Sequence, residues 1–370
     1  MSVERTEELE QIRMLAREFA AAELRPHVER WDRDRALDAT ALEHLAELGF
    51  FGMLVPESYG GMEFPLPTYA AVLEELAWGE PSVALTVSIH SAFAVHLILT
   101  HGNEAQRERW LGPLARGEVI GCFALSEARA GSDAAALETT AVRDGEGWVL
   151  NGTKKWVTNA GLASLAVVLA RAGEKIAAFL VPTDTPGYEV TARENTMGMR
   201  ALDVATVELR DVKLGADALL GDPARGFSYA MAGLDLGRIG IASQATGIAR
   251  AALEHAAGYA AEREQFGRKI REFEAIQFKL AEMATRTEAA RALVERAASS
   301  PSTRGSAMAK LFASEAAMWV ATQAVQIFGG YGYMRDYPVE KLMRDAKATE
   351  IYEGTNEIQR VIIARELYRS

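Results

Sequence analysis

Glu353 lies in the run Ile351-Tyr-Glu-Gly-Thr-Asn-Glu357, between an aromatic residue and a glycine. A carboxylate becomes a useful base near neutral pH when a dry site raises its pKa. Tyr352 could exclude water there, and Gly354 lets backbone approach closely. Taken alone, such a glutamate is equally what a solvated loop carries. Trp156 and Thr158 stand two apart on an expected strand and so share a face. A Trp ring and a hydroxyl side by side can meet a flat aromatic ligand with polar edges, or Trp156 can simply fill a hairpin core. Phe123 and Leu125 share a face in the same way, and Ser126 ends their strand. Ala130-Gly-Ser-Asp133 precedes Ala134 to Leu137, which reads as a helix start with a Ser132 or Asp133 cap. A helix start offers free N–H groups to an anion, and a plain cap explains it as well. The planar donor fork of Arg263 suits a pyrophosphate, although Glu262 and Glu264 offer it an ordinary ion pair. Asp235 and Arg238 are three apart and share a helix face, where an intrahelical salt bridge is the simple alternative.

Other chemistries are missing. There is no G-x-x-x-x-G-K-[ST] and no G-x-S-x-G. Gly329-Gly-Tyr-Gly332 ends a helical stripe rather than following a strand, so it is not a dinucleotide fingerprint. No Glu-x-x-His occurs, and the six histidines have no metal-like spacing, so no metal site is expected. Hard redox chemistry would need an organic cofactor. The single Cys122 excludes an internal disulfide and a cysteine cage, and points to a reducing, cytoplasmic compartment. The formal charge of -11 argues against nucleic acid as a partner. The acidic excess is concentrated in the first 115 residues, while the C-terminal third is slightly basic. No apolar run reaches the ~18 residues of a membrane span, Ala92 to Leu99 coming nearest. The acidic N-terminus is neither a secretory signal nor a transit peptide.

These residues need elements to hold them. Across 370 residues, texture changes twice. Residues 1–117 read as helices, with Leu9, Ile12, Leu15, Ala16 and Phe19 at helical spacing and further helices over Pro67 to Trp78 and Pro81 to Thr100. Residues 118–223 read as a small β domain, a barrel or sandwich. Its strands include Phe123 to Ser126, Ala166 to Ala170, Ala177 to Val181 and Thr206 to Arg210, with Asn151-Gly152 as a hairpin turn. Residues 224–370 carry long apolar stripes. One runs Phe273, Ile276, Leu280, Met283, Thr287, Ala290 and Val294; the other runs Ala307, Leu311, Ser314, Met318, Ala321 and Val325. They suggest a four-helix bundle. The fold class expected is α+β, mainly α.

Four segments then resemble one family. They are Cys122 to Asp133, Asn151 to Ala160, Glu262 to Gly267, and Gln326 to Tyr333 continuing to Ile351–Glu357. In order and separation they are similar to the acyl-CoA dehydrogenases, and Leu234 to Ala245 is most similar to the short-chain, butyryl-type branch. The resemblance implies one FAD per subunit, a homotetramer, an acyl-CoA substrate and an electron-transfer flavoprotein as acceptor. It makes Glu353 the base that removes the α-proton while a hydride leaves the β-carbon for the flavin. Phe123, Leu125, Ser126, Ser132, Trp156 and Thr158 would line the flavin. Arg263, Gln265, Phe266 and Glu274 would reach the FAD of a neighbouring subunit. Gln326, Gly329 and Gly330 would hold the adenosine end, with Thr355 and Glu357 nearby. Ser132, Asp235, Arg238 and Gly354 would meet the substrate. An oxidase using dioxygen and a non-catalytic binding protein on the same fold are the alternatives.

The sequence also departs from the family. Ser126-Glu127-Ala128 replaces a usual Thr-Glu-Pro and loses a rigid turn. Glu274 stands for a usual Gln, and Met199 to Asp203 for an Arg-Gly-Ser pattern. Ser299 to Ser302 reads as a shortened connection. Some relatives carry the base in the Leu-Asp-Leu-x-Arg segment, where this chain has Gly237.

Overall fold

The computed structural model describes residues 3–368. Among the described residues, seven α-helices come first: α1 (Val3–Phe19), α2 (Val28–Asp34), α3 (Ala39–Glu47), α4 (Leu66–Gly79), α5 (Pro81–Ile89), α6 (His96–His101) and α7 (Glu104–Ala115). Pro81 opens α5, where its missing N–H is harmless, and the Glu80 carboxylate accepts from Ser82 N at 3.1 Å. A π-helical turn, His90–Val95, joins α5 to α6, so the chain stays helical from Pro81 to His101. By length and composition alone that stretch is long and apolar enough to cross a membrane. Most of its apolar window is buried inside the protein.

The sheet follows: β1 (Gly121–Ala124), β2 (Thr140–Asp144), β3 (Gly147–Thr158), β4 (Leu165–Ala172), β5 (Lys175–Pro182), β6 (Tyr188–Arg193), β7 (Val204–Leu214) and β8 (Leu219–Leu220). The order is β6-β7-β3-β2-β4-β5-β8, with β1 parallel to β4, in one curled sheet. β4 reads apolar from Leu165 to Ala170 because both faces are covered there. Leu165, Val167 and Leu169 face the core shared with the helices, while Ala166, Val168 and Ala170 face a second core within the β domain. Asn151-Gly152 is not a hairpin turn, because β3 runs straight through it. A register shift falls there, and a Cβ on Gly152 would lie 2.4 Å from Thr139 Oγ1. The glycine lets two backbones pass. The true hairpin is Asp144-Gly-Glu-Gly147, with Gly145 at φ +59°.

The 37-residue α8 (Gly226–Glu262) begins the last part. A two-stranded hairpin, β9 (Glu264–Gln265) and β10 (Arg268–Lys269), leads to α9 (Glu274–Ser299), α10 (Thr303–Phe328), α11 (Pro338–Thr349) and α12 (Asn356–Leu367). The α9–α10 connection is as short as expected, and Ser302 caps α10 by accepting from Gly305 N at 3.1 Å. α10 packs against α8, α9, α11 and α12. Its buried arc is therefore wider than one stripe and takes in Ser306, Ala309, Lys310, Ala313, Ala317 and Val320. α4 lies along α8, so helices from both ends of the chain share one core with a face of the sheet.

Candidate active site

Glu353 occupies the loop between α11 and α12, at φ +52°, with Gly354 at φ +92°. A non-glycine residue in the left-handed region is strained unless its surroundings hold it. Here they do. Gln359 Nε2 donates to the carbonyls of Glu353 (3.2 Å) and Gly354 (2.8 Å). Lys310 Nζ donates to the Gly354 carbonyl at 3.0 Å. The Tyr352 hydroxyl donates to Gln244 Oε1 at 2.6 Å, and Gln244 Nε2 donates to the Pro81 carbonyl at 2.7 Å. Thr355 caps α12 by accepting from Ile358 N at 3.5 Å.

The Glu353 side chain points into the protein, where both carboxylate oxygens are buried without a hydrogen-bond partner. Burial pushes its pKa up to about 8, against the opposing charges of Arg238 and Lys310. Gly237 of α8 lies beneath it, and a Cβ there would be 2.1 Å from Oε2. The position that could have carried a rival base is thus the one that gives Glu353 its room. Arg238 is buried and pairs with Asp235 at 2.5 Å, so the intrahelical bridge exists. It also turns a cation toward the base. Tyr69 of α4, fully buried, feels the Glu353 charge from the other side.

The sheet supplies a second group. Phe123 stacks on Phe93 of the π turn (4.0 Å between centroids, 11° between planes), and Leu125 is buried beside it in the shared core. Cys122 lies on the opposite face, with its thiol 3.8 Å from the Tyr188 hydroxyl. Lys155 N donates to the Ser126 carbonyl at 2.9 Å, tying the end of β1 to β3. Trp156 sits at a β3 irregularity with φ +57° and is 53% exposed, and Thr158, two residues on, is half-buried. Trp156 is therefore no core filler. An open indole is an apolar plate on which a flat aromatic ring could rest.

Sequence reasoning missed what holds this loop. Lys154 is wholly buried, and its Nζ donates to the Leu125 carbonyl (3.0 Å) and to Glu127 Oε1 (2.7 Å). Glu127 also accepts from Glu138 N (2.6 Å), Thr139 N (3.0 Å) and the Thr139 hydroxyl (2.5 Å). The signal was a lysine at an inward position of an alternating strand. At Ser132 the expectation of a capped helix fails. Ala134–Ala136 is a single 3-10 turn with no side-chain cap from Asp133, and Ser132 is exposed on a bend.

The third group lies along the C-terminal helices. A cleft of about 480 Å³ is lined by Tyr259, Arg263, Gln265, Phe328, Gly329 and Gly330, among others. A Cβ on either glycine would meet nothing, so bare backbone faces open space. Arg263 lies 5.5 Å from the Tyr331 ring centre. A guanidinium, an amide, aromatic walls and bare backbone suit the diphosphate and adenosine of FAD. Phe266 projects from the hairpin tip, 94% exposed, at φ +52°. Gln326 and Glu274 are also exposed, at the last turn of α10 and the first residue of α9, and neither lines the cleft. Glu357 sits in the first turn of α12.

Comparison with known proteins places these groups in a family. The N-terminal, middle and C-terminal domain models of acyl-CoA dehydrogenases match residues 6–118, 122–212 and 224–368. The short-chain specific acyl-CoA dehydrogenase of Rattus norvegicus mitochondria is 45% identical, over all of this chain and 92% of that one. The solved butyryl-CoA dehydrogenase of Megasphaera elsdenii superposes with a TM-score of 0.95 at 40% identity, covering 97% and 98% of the two chains. A chain from a structural study of the electron transferring flavoprotein of Acidaminococcus fermentans and flavin-based electron bifurcation gives 0.97 at 42% identity over both full lengths. With a helical domain, a curled sheet and a second helical domain in the same order, the chain belongs to the acyl-CoA dehydrogenase family of enzymes.

Proposed function

We propose that this protein is an FAD-dependent acyl-CoA dehydrogenase of the short-chain type that makes a trans-2-enoyl-CoA. The observation that carries the reading is the Glu353 carboxylate, buried, unpartnered and raised to about 8. A carboxylate in water is too weak a base for a carbon acid. One stripped of water and kept free of hydrogen bonds is stronger by the free energy it lost. Glu353 takes the α-proton of the thioester onto a carboxylate oxygen. FAD would supply the acceptor for the hydride, one hydrogen with two electrons, that leaves the β-carbon, and a C–C double bond would remain. Trp156, Thr158 and the Phe123–Ser126 segment would hold the flavin ring, and Arg263, Gln265, Gly329 and Gly330 the far end of a cofactor. Arg238 keeps a positive charge near the carboxylate, and Gly237 leaves room for it to reach the substrate.

A matching fold from a study of an electron transferring flavoprotein supports that class of acceptor. A homotetramer would cover the exposed Phe266 and Tyr333 beside the cleft. A reducing, cytoplasm-like compartment suits the single buried cysteine.

The test is a visible spectrum of the purified protein before and after anaerobic addition of butyryl-CoA. A yellow protein that bleaches agrees with the proposal, and one that cannot take up FAD sinks it. Turnover with an artificial acceptor but not in air identifies a dehydrogenase, whereas turnover in air alone would make it an oxidase.

A further inference from the structure

Lys310 stands in the middle of α10, wholly buried. Its two hydrogen bonds go to neutral oxygens, the Gly354 carbonyl and Asn356 Oδ1, each at 3.0 Å. A buried ammonium without a bonded carboxylate costs several kcal/mol, and methionine would fill the same space without that cost. Its presence asks for a reason, and its contacts supply one. The carbonyl it holds belongs to the residue after Glu353, at the second of two left-handed positions. Ser314, one turn further along α10, donates to the same Asn356 Oδ1 at 3.0 Å. Gln359 meets the same Gly354 carbonyl at 2.8 Å. From the opposite side Tyr352 is tied to Gln244 of α8. The loop is clamped between the two central helices, and Lys310 is the one charged member of the clamp.

We propose that Lys310 is the positioning residue of the base, fixing the Glu353–Gly354 turn through the Gly354 carbonyl and supplying a cation beside the carboxylate. The proposal rests on the reading of Glu353 as the base. Lys310 touches neither substrate nor cofactor in this role and acts through the backbone and the charge of its neighbour. Burial lowers its own pKa to about 7, while the charge of Glu353 works against that fall. The two charged forms therefore support each other, and ionisation of the base strengthens the clamp that aims it. The other groups in this field are Arg238 and its partner Asp235 on α8, Tyr69 on α4, Tyr352 and Glu350 beside the base, and Glu357 on α12. Arg238 is the cation that remains when Lys310 is removed.

The test uses FAD-loaded Lys310→Met and Lys310→Gln. Lys310→Met should keep the flavin spectrum and leave KM for butyryl-CoA within about threefold, while kcat falls ~10-fold or more. The midpoint of the kcat/KM pH profile should rise, the direction expected for loss of a nearby opposite charge. Lys310→Gln keeps a donor for the Gly354 carbonyl without the charge. It should recover part of kcat and leave the midpoint raised. If Lys310→Met does not fold, the raised midpoint of Lys310→Gln alone carries the test. Variants with wild-type kcat and midpoint overturn the proposal. A wild-type enzyme that butyryl-CoA fails to bleach would instead overturn the reading of the function, so the two failures are distinguishable.

Discussion

At the scale of single residues, the cost of Glu353 is as informative as its use. Its pKa is about 8 in the folded chain against 4.5 ordinarily, because its oxygens are buried without partners. The folded state therefore holds the proton more tightly than the unfolded state. Stability is untouched by this group below about pH 4.5, falls as pH rises above it, and levels off above about 8. At ~1.4 kcal/mol per unit, the penalty above pH 8 is a few kcal/mol. Glu353→Gln, which cannot ionise, should thus melt higher than wild type at pH 8.5, with the gap closing toward pH 4.5. Melting curves across that range check it, and a gap that grows toward acid would contradict it. Gly237 matters at the same scale. With only 2.1 Å between its would-be Cβ and Oε2, Gly237→Ala must push the carboxylate aside. Its expected outcome is a ~10²-fold fall in kcat with FAD retained, read from kinetics beside the flavin spectrum.

At the scale of elements, the two lysines that fix the chemistry-bearing loops come from a strand and a helix. Lys154 of β3 holds the Leu125 carbonyl and Glu127, and Lys310 of α10 holds the Glu353 loop. Lys154→Met would leave the Glu127 carboxylate buried against one hydroxyl and two N–H groups. It should cost ~3–5 kcal/mol, most of it restored by adding Glu127→Gln. Chemical denaturation of the single and double variants measures both numbers. Neither lysine was legible as functional, since a lone charged side chain reads as surface until its neighbours in space are known. The Glu353, Trp156 and Arg263 segments could be singled out as candidates, because their motifs are contiguous. The Asn151-Gly152 reading failed because a local turn preference gave way to a strand that needs a glycine where it passes Thr139. The Ser132 cap failed because the segment after it is too short and too exposed to form more than one turn.

At the scale of the molecule, the order of helices, sheet and helices was readable from texture alone. What texture could not give was the joining of the three parts. Lys341 of α11 bridges Glu80, before α5, and Asp345, while Met199 N, from the loop between β6 and β7, donates to Asp345 Oδ1 at 2.5 Å. All three side chains are buried, and the two carboxylates push the Lys341 pKa upward against the burial that lowers it. This knot ties the N-terminal helices, the sheet and the C-terminal helices at one point. Lys341→Met strands two buried carboxylates and should lower stability by ~3–5 kcal/mol. Unfolding followed by circular dichroism and by flavin fluorescence should stay coincident if the parts unfold together. Separate transitions would show that the knot does not couple them.

The central claim is that the buried Glu353 carboxylate is the base. The direct measurement is the anaerobic rate of flavin bleaching by butyryl-CoA in wild type and Glu353→Gln, from pH 6 to 9. The wild-type rate at low substrate should climb through about pH 8 as the carboxylate loses its proton. Glu353→Gln should keep its yellow FAD and bleach ~10²–10⁴-fold more slowly at every pH. Bleaching of that variant at the wild-type rate would contradict the account.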